Sequence, residues 1–350
     1  MIAVKGYATE GPEAPLTPFE FERRDLREKD VLIDILYSGV CHSDVHQARN
    51  EWGSSMYPMV PGHEIVGRVL QVGSGVTKFK EGDLAGVGVM VDSCRQCKPC
   101  ENFMEQYCEE GMTGTYNGYE RDKKTIAQGG YSTKIVTDER WVYHISDKLD
   151  LPGVAPLLCA GITTYSPLKY ADIKPGDKVA VAGLGGLGHM AVKFAVAMGA
   201  DVTVLSTSPS KKQDALDLGA QHFALSNDKK EMKKLKSYFN VILDAISADH
   251  DYARFLDLLD LHGKLLVVGL PKENPKIDPF ALIKNRRSIT GSMIGGTKET
   301  QEMLDFCAEH NITADVEVIK MQEINEAFDR MVKNDVKYRF VIDMSSLKNE

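Results

Sequence analysis

The first 150 residues combine short apolar runs with turns that are rich in glycine. Runs with strand character occupy residues 30–36, 65–72 and 83–89, and glycine-containing turns lie between them. Short apolar runs bounded by Gly, Asp and Ser are typical of strands joined by tight turns. This part of the chain is therefore predicted to be an irregular antiparallel or barrel-like β domain.

From about residue 175 the pattern changes, and apolar strands alternate with segments of helical length. The predicted strands cover residues 179–182, 202–205, 240–244 and 264–269. The predicted helices cover residues 189–198, 211–218 and 252–261. Apolar strands that alternate with helices indicate a doubly wound parallel sheet. Two further predicted helices and a last strand follow at 300–310, 324–334 and 338–344.

Composition and charge narrow the class of protein. A chain of 350 residues exceeds what one simple core normally holds, so two domains are expected. The net charge of −8 gives no electrostatic reason to expect nucleic acid or an anionic membrane as partner. The N-terminus reads as a first strand rather than a signal peptide, and no apolar run approaches the ~18 residues of a membrane span. We therefore expect a cytoplasmic protein whose seven cysteines are thiols or metal ligands.

A glycine-rich segment between a predicted strand and a predicted helix matches the pattern G-x-G-x-x-G. It consists of Gly183, Leu184, Gly185, Gly186, Leu187 and Gly188. The pattern alone is weak, but here it follows a strand, opens a helix and precedes another strand within about 30 residues. Such glycines let the backbone approach a pyrophosphate, which the helix N-terminus attracts. A dinucleotide site is predicted, and an ordinary strand-to-helix turn is the weaker alternative.

The end of the next predicted strand indicates which dinucleotide binds. An NAD site usually has Asp or Glu there, about 20 residues after the first glycines, to bind the ribose hydroxyls. This chain instead has a hydroxyl-rich and basic segment that contains Ser206, Thr207, Ser208, Lys211 and Lys212. Hydroxyls and ammonium groups hold a 2′-phosphate that a carboxylate would repel, so NADP is favoured. The alternative is a helix N-cap at Ser208 or Ser210 followed by surface lysines, which is compatible with phosphate binding.

Four of the seven cysteines lie on one short segment. Cys94, Cys97, Cys100 and Cys108 follow the pattern C-x2-C-x2-C-x7-C. Four thiolates at this spacing suit a closed tetrahedral zinc site. Iron–sulfur clusters usually show different spacings, and disulfides are not expected in a reducing compartment. The segment is therefore predicted to bind a structural zinc ion.

The other three cysteines are far apart in the chain. Cys307 lies within a predicted helix and is interpreted as a buried, inert thiol. Cys41 and Cys159, taken singly, would each be assigned to the core. Their neighbourhoods are more distinctive: Gly39-Val40-Cys41-His42-Ser43-Asp44-Val45-His46, Pro61-Gly62-His63-Glu64 and residues 156–163.

With these neighbourhoods the chain resembles the zinc-containing medium-chain alcohol dehydrogenases. Within them it is similar to the cinnamyl alcohol dehydrogenase group, which includes bacterial broad-range aldehyde reductases. The similarity covers nearly the whole chain and is densest at residues 57–67, 94–108, 155–167, 183–189 and 291–296. The resemblance implies an α/β protein with a split, GroES-like β-barrel catalytic domain at residues 1–150 and 290–350. The doubly wound Rossmann domain that binds NADP would then be formed by residues 151–289.

The resemblance also assigns the site residues. It implies that Cys41, His63 and Cys159 bind a catalytic zinc ion, and that Glu64 is a nearby carboxylate able to become a transient ligand. Asp44 would orient the histidine ligand, a role that such sites generally need. Ser43 and His46 would relay a proton, although a solvated surface imidazole is the alternative for His46. The residues expected to contact the nicotinamide half of the cofactor are Thr163, Gly269, Ser292, Met293 and Ile294.

The chemistry follows from this set of ligands. Three protein ligands leave the fourth position of a zinc ion open for substrate or water. Two thiolates cancel the charge of the ion, so the site can be buried while the metal still polarises a carbonyl oxygen. The resemblance therefore implies a homodimeric enzyme with two zinc ions per chain that moves a hydride between NADP(H) and an alcohol/aldehyde pair. The expected substrates are small molecules, namely aromatic or other bulky apolar aldehydes.

Two positions depart from the family pattern, and three other functions stay open. Gly114 stands where plant members have Trp, which predicts a wider pocket, and Ala245 stands where relatives often have Thr, so a cofactor hydrogen bond is expected to be missing. Candidate pocket-wall residues, any of which could belong to the core instead, are Trp52, Met56, Tyr57 and Pro58. The other functions are a zinc-free reductase of the quinone-reductase type, a zinc-stabilised binding module and a non-catalytic NADP-binding protein. The two full ligand sets argue against the first, and the acidic charge argues against the second.

Overall fold

The computed structural model describes residues 1–271, 273 and 275–348, and the chain divides into two units. Unit 1 comprises Met1–Cys159 and Gly295–Glu350, so it contains both ends of the chain. Unit 2 comprises Ala160–Ile294. Among the described residues, no helix is both long enough and apolar enough to cross a membrane.

The first segment of unit 1 consists mainly of short strands. They are β1 (Ile2–Ala8), β2 (Thr17–Arg23), β3 (Asp30–Val40), β4 (Ile65–Val72), β5 (Leu84–Val87), β6 (Met90–Asp92), β7 (Thr113–Gly114), β8 (Gly118–Tyr119), β9 (Ile126–Ala127), β10 (Lys134–Asp138) and β11 (Val142–His144). Its α-helices are α1 (His42–Ala48), α2 (Lys98–Glu101) and α3 (Leu151–Val154). Three 3-10 helices cover Glu105–Tyr107, Glu139–Trp141 and Ala155–Leu158.

Unit 2 alternates strands and helices. Its strands are β12 (Lys178–Ala182), β13 (Asp201–Ser206), β14 (His222–Leu225), β15 (Phe239–Asp244), β16 (Leu259–Val267) and β17 (Ser288–Gly291). Its helices are α4 (Ala160–Ala171), α5 (Gly188–Ala197), α6 (Lys211–Asp217), α7 (Lys229–Lys234), α8 (Tyr252–Leu256) and α9 (Pro279–Ile283). The C-terminal segment of unit 1 adds α10 (Thr297–His310), β18 (Val316–Lys320), a 3-10 helix (Met321–Glu323), α11 (Ile324–Val332), β19 (Arg339–Asp343) and α12 (Ser345–Lys348).

The main sheet of unit 1 joins strands from both ends of the chain. Its strand order is β11-β5-β4-β3-β19-β18, and β10 also pairs with β3. All pairs are antiparallel except β18 with β19. Alternate residues of β3 point into the core, where Val31, Ile33 and Ile35 are fully buried, as a strand with one apolar face requires. Helix α11 covers this core with an apolar stripe at helical spacing that consists of Ile324, Ala327, Phe328 and Met331.

The sheet of unit 2 confirms the predicted doubly wound architecture. Its strand order is β14-β13-β12-β15-β16-β17, and every neighbouring pair is parallel. Numbered within the unit, this is the order 3-2-1-4-5-6 of a Rossmann sheet. Both faces of the sheet are covered, which is why β12 is buried at four of its five positions and reads as a continuous apolar run.

Three predicted boundaries differ from the structure. Residues 151–159, predicted to belong to the Rossmann domain, lie in unit 1 because α3 packs against β3 and β4 and the Gly153 carbonyl accepts the Ala314 N–H. Residues 290–294, predicted to belong to the catalytic domain, lie in unit 2 around the end of β17. The predicted helix at 252–261 ends at Leu256, since β16 begins at Leu259 and pairs along β15. Pairing between strands distant in sequence overrides the local helical pattern there.

Candidate active site and metal centres

Two groups of side chains with metal-binding atoms lie in unit 1. In the first, Cys41, His63, Glu64 and Cys159 are all buried, and their ligand atoms lie within 4.8 Å of one another. Strand pairing explains the assembly. Cys41 directly follows β3, and His63 and Glu64 directly precede β4, which pairs antiparallel with β3. The end of one strand therefore meets the start of the next, and Cys159 follows the 3-10 helix that packs on the same strands.

The spacing and the donors of this first group suit a zinc ion. The Cys41 and Cys159 sulfurs are 3.9 Å apart, close to the about 3.8 Å between two thiolates on a tetrahedral zinc with Zn–S bonds of ~2.3 Å. Among the described residues, buried Glu64 Oε2 has no hydrogen-bond partner, so it is an acceptor that a nearby cation would satisfy. A Cβ at Gly39 would lie 1.9 Å from that oxygen, so only glycine fits beside it.

Asp44 lies behind His63 and accepts four hydrogen bonds. Its Oδ2 accepts the Cys41 N–H at 2.9 Å and the Tyr131 hydroxyl at 3.1 Å. Its Oδ1 lies 3.0 Å from His63 Nδ1 and accepts the Gly62 N–H at 3.2 Å. This arrangement leaves Nε2 of His63 available as a ligand. The ring of Tyr116 stacks on His63 with centroids 5.9 Å apart, and its hydroxyl is 3.4 Å from the Ser43 carbonyl oxygen.

Charges inside this buried group shift the ionisation of its members. The contact with the Cys159 thiol, followed by the positive charge of Arg339, lowers the pKa of Cys41 well below its ordinary value. The same contact, together with burial, raises the pKa of Cys159, so the two thiols ionise one after the other. Burial raises the pKa of Glu64 to about 8, although Arg339 opposes this. A cationic metal would favour the ionised form of all three groups.

Arg339 is a site residue that sequence analysis missed. It lies on β19, is only 5% exposed, and forms a buried ion pair with Glu64. Two residues 275 positions apart are joined because β19 pairs with β3 beside the start of β4. The available sequence signal was a lone basic residue at the start of an otherwise apolar strand, since buried cations almost always have a partner.

The second group is the four-cysteine segment. Cys94, Cys97, Cys100 and Cys108 meet with all their sulfurs within 4.8 Å. Sγ–Sγ distances of 3.8 Å for Cys94–Cys100 and 3.4 Å for Cys97–Cys100 approach tetrahedral thiolate spacing. Backbone N–H groups of Gln96 and Cys97 lower the pKa of Cys94 to about 7, whereas burial raises that of Cys100 to about 12. N–H groups that point at sulfur stabilise thiolates, so this geometry suits a closed structural metal site.

Cys307 is separate from both groups. It is fully buried on α10, where its sulfur lies 3.6 Å from that of Met303. Burial raises its pKa well above the ordinary value. This environment is that of an inert thiol.

The two predicted relay residues lie one turn apart on α1. Ser43 Oγ is 3.6 Å from the Cys41 sulfur. His46 is partly exposed, and its Nδ1 is 2.6 Å from Glu51 Oε2. Trp52, a predicted pocket-wall residue, is 49% exposed, and its ring is tilted against that of His46 with centroids 5.0 Å apart. Tyr57, predicted for the same wall, donates its hydroxyl to the Ala48 carbonyl at the end of α1.

The glycine loop follows β12 at the carboxyl edge of the unit 2 sheet. Gly183 has φ +88°, a conformation that L side chains rarely adopt. A Cβ at Gly185 would meet nothing within 4 Å, so the space above it is open. A Cβ at Gly188 would lie 1.9 Å from the Gly183 carbonyl oxygen, so helix α5 can approach the loop only with glycine there. Gly183 therefore supplies the tight turn, Gly185 the space for a pyrophosphate, and Gly188 the close helix–strand packing that the G-x-G-x-x-G motif requires.

The hydroxyl-rich segment lies at the end of β13. The Ser206 hydroxyl accepts the Ser208 N–H at 3.2 Å, and the Ser208 and Ser210 hydroxyls are 2.8 Å apart. Helix α6 begins at Lys211, and its N-cap residue Ser210 makes no side-chain capping hydrogen bond. Ser210 is therefore the N-cap residue, as the alternative interpretation allowed, but its hydroxyl does not cap the helix. The segment presents hydroxyl groups and no carboxylate at the position that selects between NAD and NADP.

The residues predicted to contact nicotinamide lie on different elements of unit 2. Thr163 is buried on α4. Gly269 and Ser292 follow β16 and β17 at the same sheet edge as Gly183. A Cβ at Gly269 would lie 2.2 Å from the Ile246 carbonyl oxygen, so packing alone already requires glycine there. Beyond Ser292, Met293 is 43% exposed and Ile294 has φ +41°.

A buried acid–imidazole pair at this edge was missed by sequence analysis. Asp244 ends β15, is fully buried, and lies 2.8 Å from Nε2 of His250. Burial raises the pKa of Asp244 although His250 opposes the shift. Its Oδ1 accepts the Ile246 N–H at 3.1 Å, so the carboxylate holds the loop that contains Ala245.

A cavity of about 500 Å³ in unit 1 contains none of the predicted site residues. It is lined by five basic residues, Lys29, Lys78, Arg95, Arg140 and Lys298. Arg95 pairs with Asp92 and Asp138, and Arg140 pairs with Glu105. Lys78 donates to the Glu139 and Val142 carbonyls. Since protein groups already engage these cations, we assign the cavity no ligand.

Known proteins match this chain along its whole length. A zinc-binding dehydrogenase family matches residues 186–309, and an alcohol dehydrogenase GroES-like domain matches residues 27–147. The chain is 52% identical over 350 residues, the full length of both proteins, to NADP-dependent alcohol dehydrogenase C 1 of Mycolicibacterium smegmatis. It is 52% identical to the probable mannitol dehydrogenase of Fragaria ananassa over 343 residues, 97% of this chain and 95% of that protein. A cinnamyl alcohol dehydrogenase structure from Sorghum bicolor superposes with a TM-score of 0.94 at 45% identity, and 98% of each chain is covered.

Proposed function

This chain belongs to the zinc-dependent medium-chain alcohol dehydrogenases and is an NADP-dependent enzyme of that family, and we propose that it reduces aromatic and other bulky apolar aldehydes to primary alcohols. The observation that carries the proposal is the buried group of Cys41, His63 and Cys159 with Asp44 behind the histidine. Three such ligands in a buried site are typical of a catalytic zinc rather than a structural one.

We assign distinct roles to the two groups of ligands. Cys41, His63 and Cys159 would hold the catalytic zinc, and Glu64 supplies a carboxylate oxygen within reach of the same point. Cys94, Cys97, Cys100 and Cys108 would hold the structural zinc. A zinc ion in the first site would polarise an aldehyde oxygen as a Lewis acid, and NADPH would supply the hydride.

The residues around the catalytic group supply orientation and proton transfer. Asp44 fixes the Nδ1–H tautomer of His63 through its 3.0 Å contact. The Ser43 hydroxyl, 3.6 Å from the Cys41 sulfur, is the candidate donor to a developing alkoxide. His46, one helical turn further along α1 and partly exposed, would return the proton from solvent.

For the cofactor, we assign the pyrophosphate to the loop from Gly183 to Gly188 and the 2′-phosphate to the segment from Ser206 to Lys211. The open space above Gly185 and the missing carboxylate at the end of β13 support these assignments. Thr163, Gly269 and the backbone of residues 292–294 are assigned to the nicotinamide half.

Relatives are named for two different kinds of substrate, cinnamyl alcohol and mannitol. Two features favour bulky apolar substrates. Gly114 has no side chain where the resemblance places an indole ring in plant members, so the space of that ring is left free. A Cβ at Gly114 would already lie in tight contact, 3.2 Å from the Tyr116 carbonyl oxygen, so glycine suits the position. The Met56 N–H donates to the Asn117 side chain, which places an apolar residue beside the segment that contains Gly114. An apolar aldehyde gains affinity from such surfaces, whereas a polyol does not.

A comparison of three carbonyl substrates tests this proposal. NADPH oxidation by the zinc-loaded enzyme is measured with cinnamaldehyde, acetaldehyde and fructose. We expect kcat/KM for cinnamaldehyde to exceed the other two values by tenfold or more, about 1.4 kcal/mol of transition-state binding. Equal or better use of acetaldehyde or fructose would refute the substrate assignment and leave the family membership intact.

We further propose that the enzyme is a homodimer formed through unit 2 and that it is cytoplasmic. Strand β17 is at the edge of its sheet, and the preceding helix α9 exposes Phe280 (63%) and Ile283 (72%). An edge strand beside exposed apolar side chains is a surface that a second copy can cover by continuing the sheet across a twofold axis. All seven cysteines are unpaired by disulfides, as a reducing compartment requires.

A further inference from the structure

A short loop is hydrogen-bonded to the backbone segment that precedes His63. This clamp loop comprises residues 128–131 and is bonded to residues 60–62. Gly129 N–H donates to the Val60 carbonyl at 2.7 Å, Gly130 N–H to Gly62 at 2.8 Å, and Tyr131 N–H to Pro61 at 2.9 Å. Three consecutive backbone hydrogen bonds fix the loop against the segment that immediately precedes the zinc ligand.

Close packing also prevents movement between the clamp loop and residues 60–62. Gly62 has φ +105°, and a Cβ there would lie 2.7 Å from Cδ1 of Tyr131. A Cβ at Gly129 would lie 2.3 Å from the Pro61 carbonyl oxygen. The outer side of the loop is held by Arg23, which donates to the Gln128 and Gly129 carbonyls at 2.9 and 3.0 Å. The clamp loop therefore holds Tyr131 in one position relative to His63.

From this position Tyr131 reaches Asp44. The tyrosine is fully buried, and its hydroxyl is 3.1 Å from Asp44 Oδ2. Burial and the negative charge of Asp44 raise the pKa of Tyr131 well above its ordinary value, so the phenol keeps its proton and donates a hydrogen bond to the carboxylate. Without this hydroxyl, Oδ2 would lose one of its hydrogen bonds and keep the Cys41 N–H, whereas Oδ1 would keep the contacts with Gly62 and His63.

We propose that Tyr131 is a positioning residue of the catalytic zinc site, because its hydroxyl holds Asp44 in the orientation that fixes His63 toward the metal. This inference rests on the proposed role of Cys41, His63 and Cys159 as catalytic zinc ligands. Mutation of a residue that hydrogen-bonds directly to a metal ligand typically lowers metal affinity by 10–100-fold. Tyr131 bonds to Asp44, which in turn bonds to the ligand His63, so its mutation should have an effect at the lower end of that range.

The test is the release of zinc from the holoenzyme to a colorimetric chelator, measured without substrate. Tyr131→Phe keeps the buried ring and removes only the hydroxyl. Tyr143→Phe is the matched control, since Tyr143 is also buried in unit 1 but its hydroxyl bonds to Thr300. Cys41→Ser, expected to hold only the structural zinc, identifies the release phase of that ion.

We expect Tyr131→Phe to release one of its two zinc ions about tenfold faster than the wild type, while the phase shared with Cys41→Ser is unchanged. Its kcat should fall several-fold with a smaller change in KM for NADPH, and Tyr143→Phe should match the wild type in both measurements. Unchanged release of both ions, or equal acceleration of both, would overturn the role of Tyr131 alone. A wild-type enzyme without zinc at the Cys41 site would overturn the proposed function as well.

Discussion

At the scale of single residues, we propose that the side chain at the end of β13 determines the choice between NADP and NAD. Ser206 is 9% exposed, and its hydroxyl lies beside the backbone of Ser208. A carboxylate at this position would bind ribose hydroxyls and repel a 2′-phosphate, whereas a hydroxyl is compatible with the phosphate. We therefore propose that this one side chain carries much of the difference between NADP and NAD.

Ser206→Asp should shift the preference toward NAD(H). We expect the ratio of kcat/KM for NADPH to that for NADH to fall at least tenfold, which corresponds to about 1.4 kcal/mol. Steady-state kinetics with both cofactors gives this ratio. Ser206→Ala is the control, since it removes the hydroxyl without adding charge and should change the ratio less. An unchanged ratio in Ser206→Asp would show that other residues hold the phosphate.

Residues whose roles follow from their chemistry could be predicted from the sequence, and residues whose roles follow from distant contacts could not. The four-cysteine segment and the glycine loop have characteristic spacings, whereas Cys41, His63 and Cys159 could be assigned only through the family resemblance. Arg339 contacts Glu64 and Tyr131 contacts Asp44, at sequence separations of 275 and 87 residues. No local pattern reports contacts of that kind.

At the scale of elements, one buried carboxylate joins the four-cysteine segment to helix α10. Glu105 is fully buried and accepts the Thr297 N–H at 3.0 Å and the Thr297 hydroxyl at 2.9 Å. Arg140 lies 3.2 Å from the same carboxylate. A negative charge at the start of a 14-residue helix is stabilised by the partial positive charge of that end.

Glu105→Gln should therefore destabilise the protein. The amide keeps the shape but loses the charge and one of the two acceptor oxygens, so we expect a loss of about 1–3 kcal/mol in the free energy of unfolding. The midpoint of urea unfolding of the zinc-loaded protein measures it. Glu101→Gln on α2 is the matched control because Glu101 is exposed, and its midpoint should be that of the wild type. An equal midpoint for Glu105→Gln would show that this contact does not stabilise the fold.

Elements with a strong local pattern were predictable, and their lengths were less so. The alternation of apolar strands and helices along the chain is sufficient to predict the parallel sheet of unit 2. The predicted helix at 252–261 was too long because residues 259–261 belong to strand β16, whose first residue, Leu259, pairs with Phe239 of β15. Strand pairing of this sort depends on the partner strand, which the local sequence does not contain.

At the scale of the whole molecule, the chain returns to unit 1 after completing unit 2. Strand β19 pairs with β3 in the unit 1 sheet and places Arg339 beside Glu64, in the group that contains Cys41, His63 and Cys159. The C-terminal segment is therefore part of the site and not an appendage. The pattern of apolar residues alone predicts strands and helices in the C-terminal segment. That this segment belongs to the same domain as the N-terminal part could be predicted only from the family resemblance.

The proposed dimer gives a prediction at this scale. Ile283→Glu places a charge on the exposed apolar surface of α9, where burial against a second copy would be costly. We expect the wild type to elute with the mass of two chains in light scattering coupled to gel filtration, and the variant to shift toward one chain. Val332→Glu on α11, 51% exposed in unit 1, should remain dimeric. A monomeric wild type, or an unaffected Ile283→Glu dimer, would contradict the proposed interface.

The catalytic zinc assignment is tested most directly by measuring zinc content and NADPH-dependent turnover of cinnamaldehyde together, on the wild type and on Cys41→Ser. Loss of one thiolate from a three-ligand site should empty it, while the four-cysteine site keeps its metal. We expect about two zinc ions per chain and turnover for the wild type, and about one zinc ion and no measurable turnover for Cys41→Ser. A variant that keeps its activity, or a wild type that holds both ions and turns over no aldehyde, would contradict the assignment of Cys41, His63 and Cys159 as the catalytic zinc site.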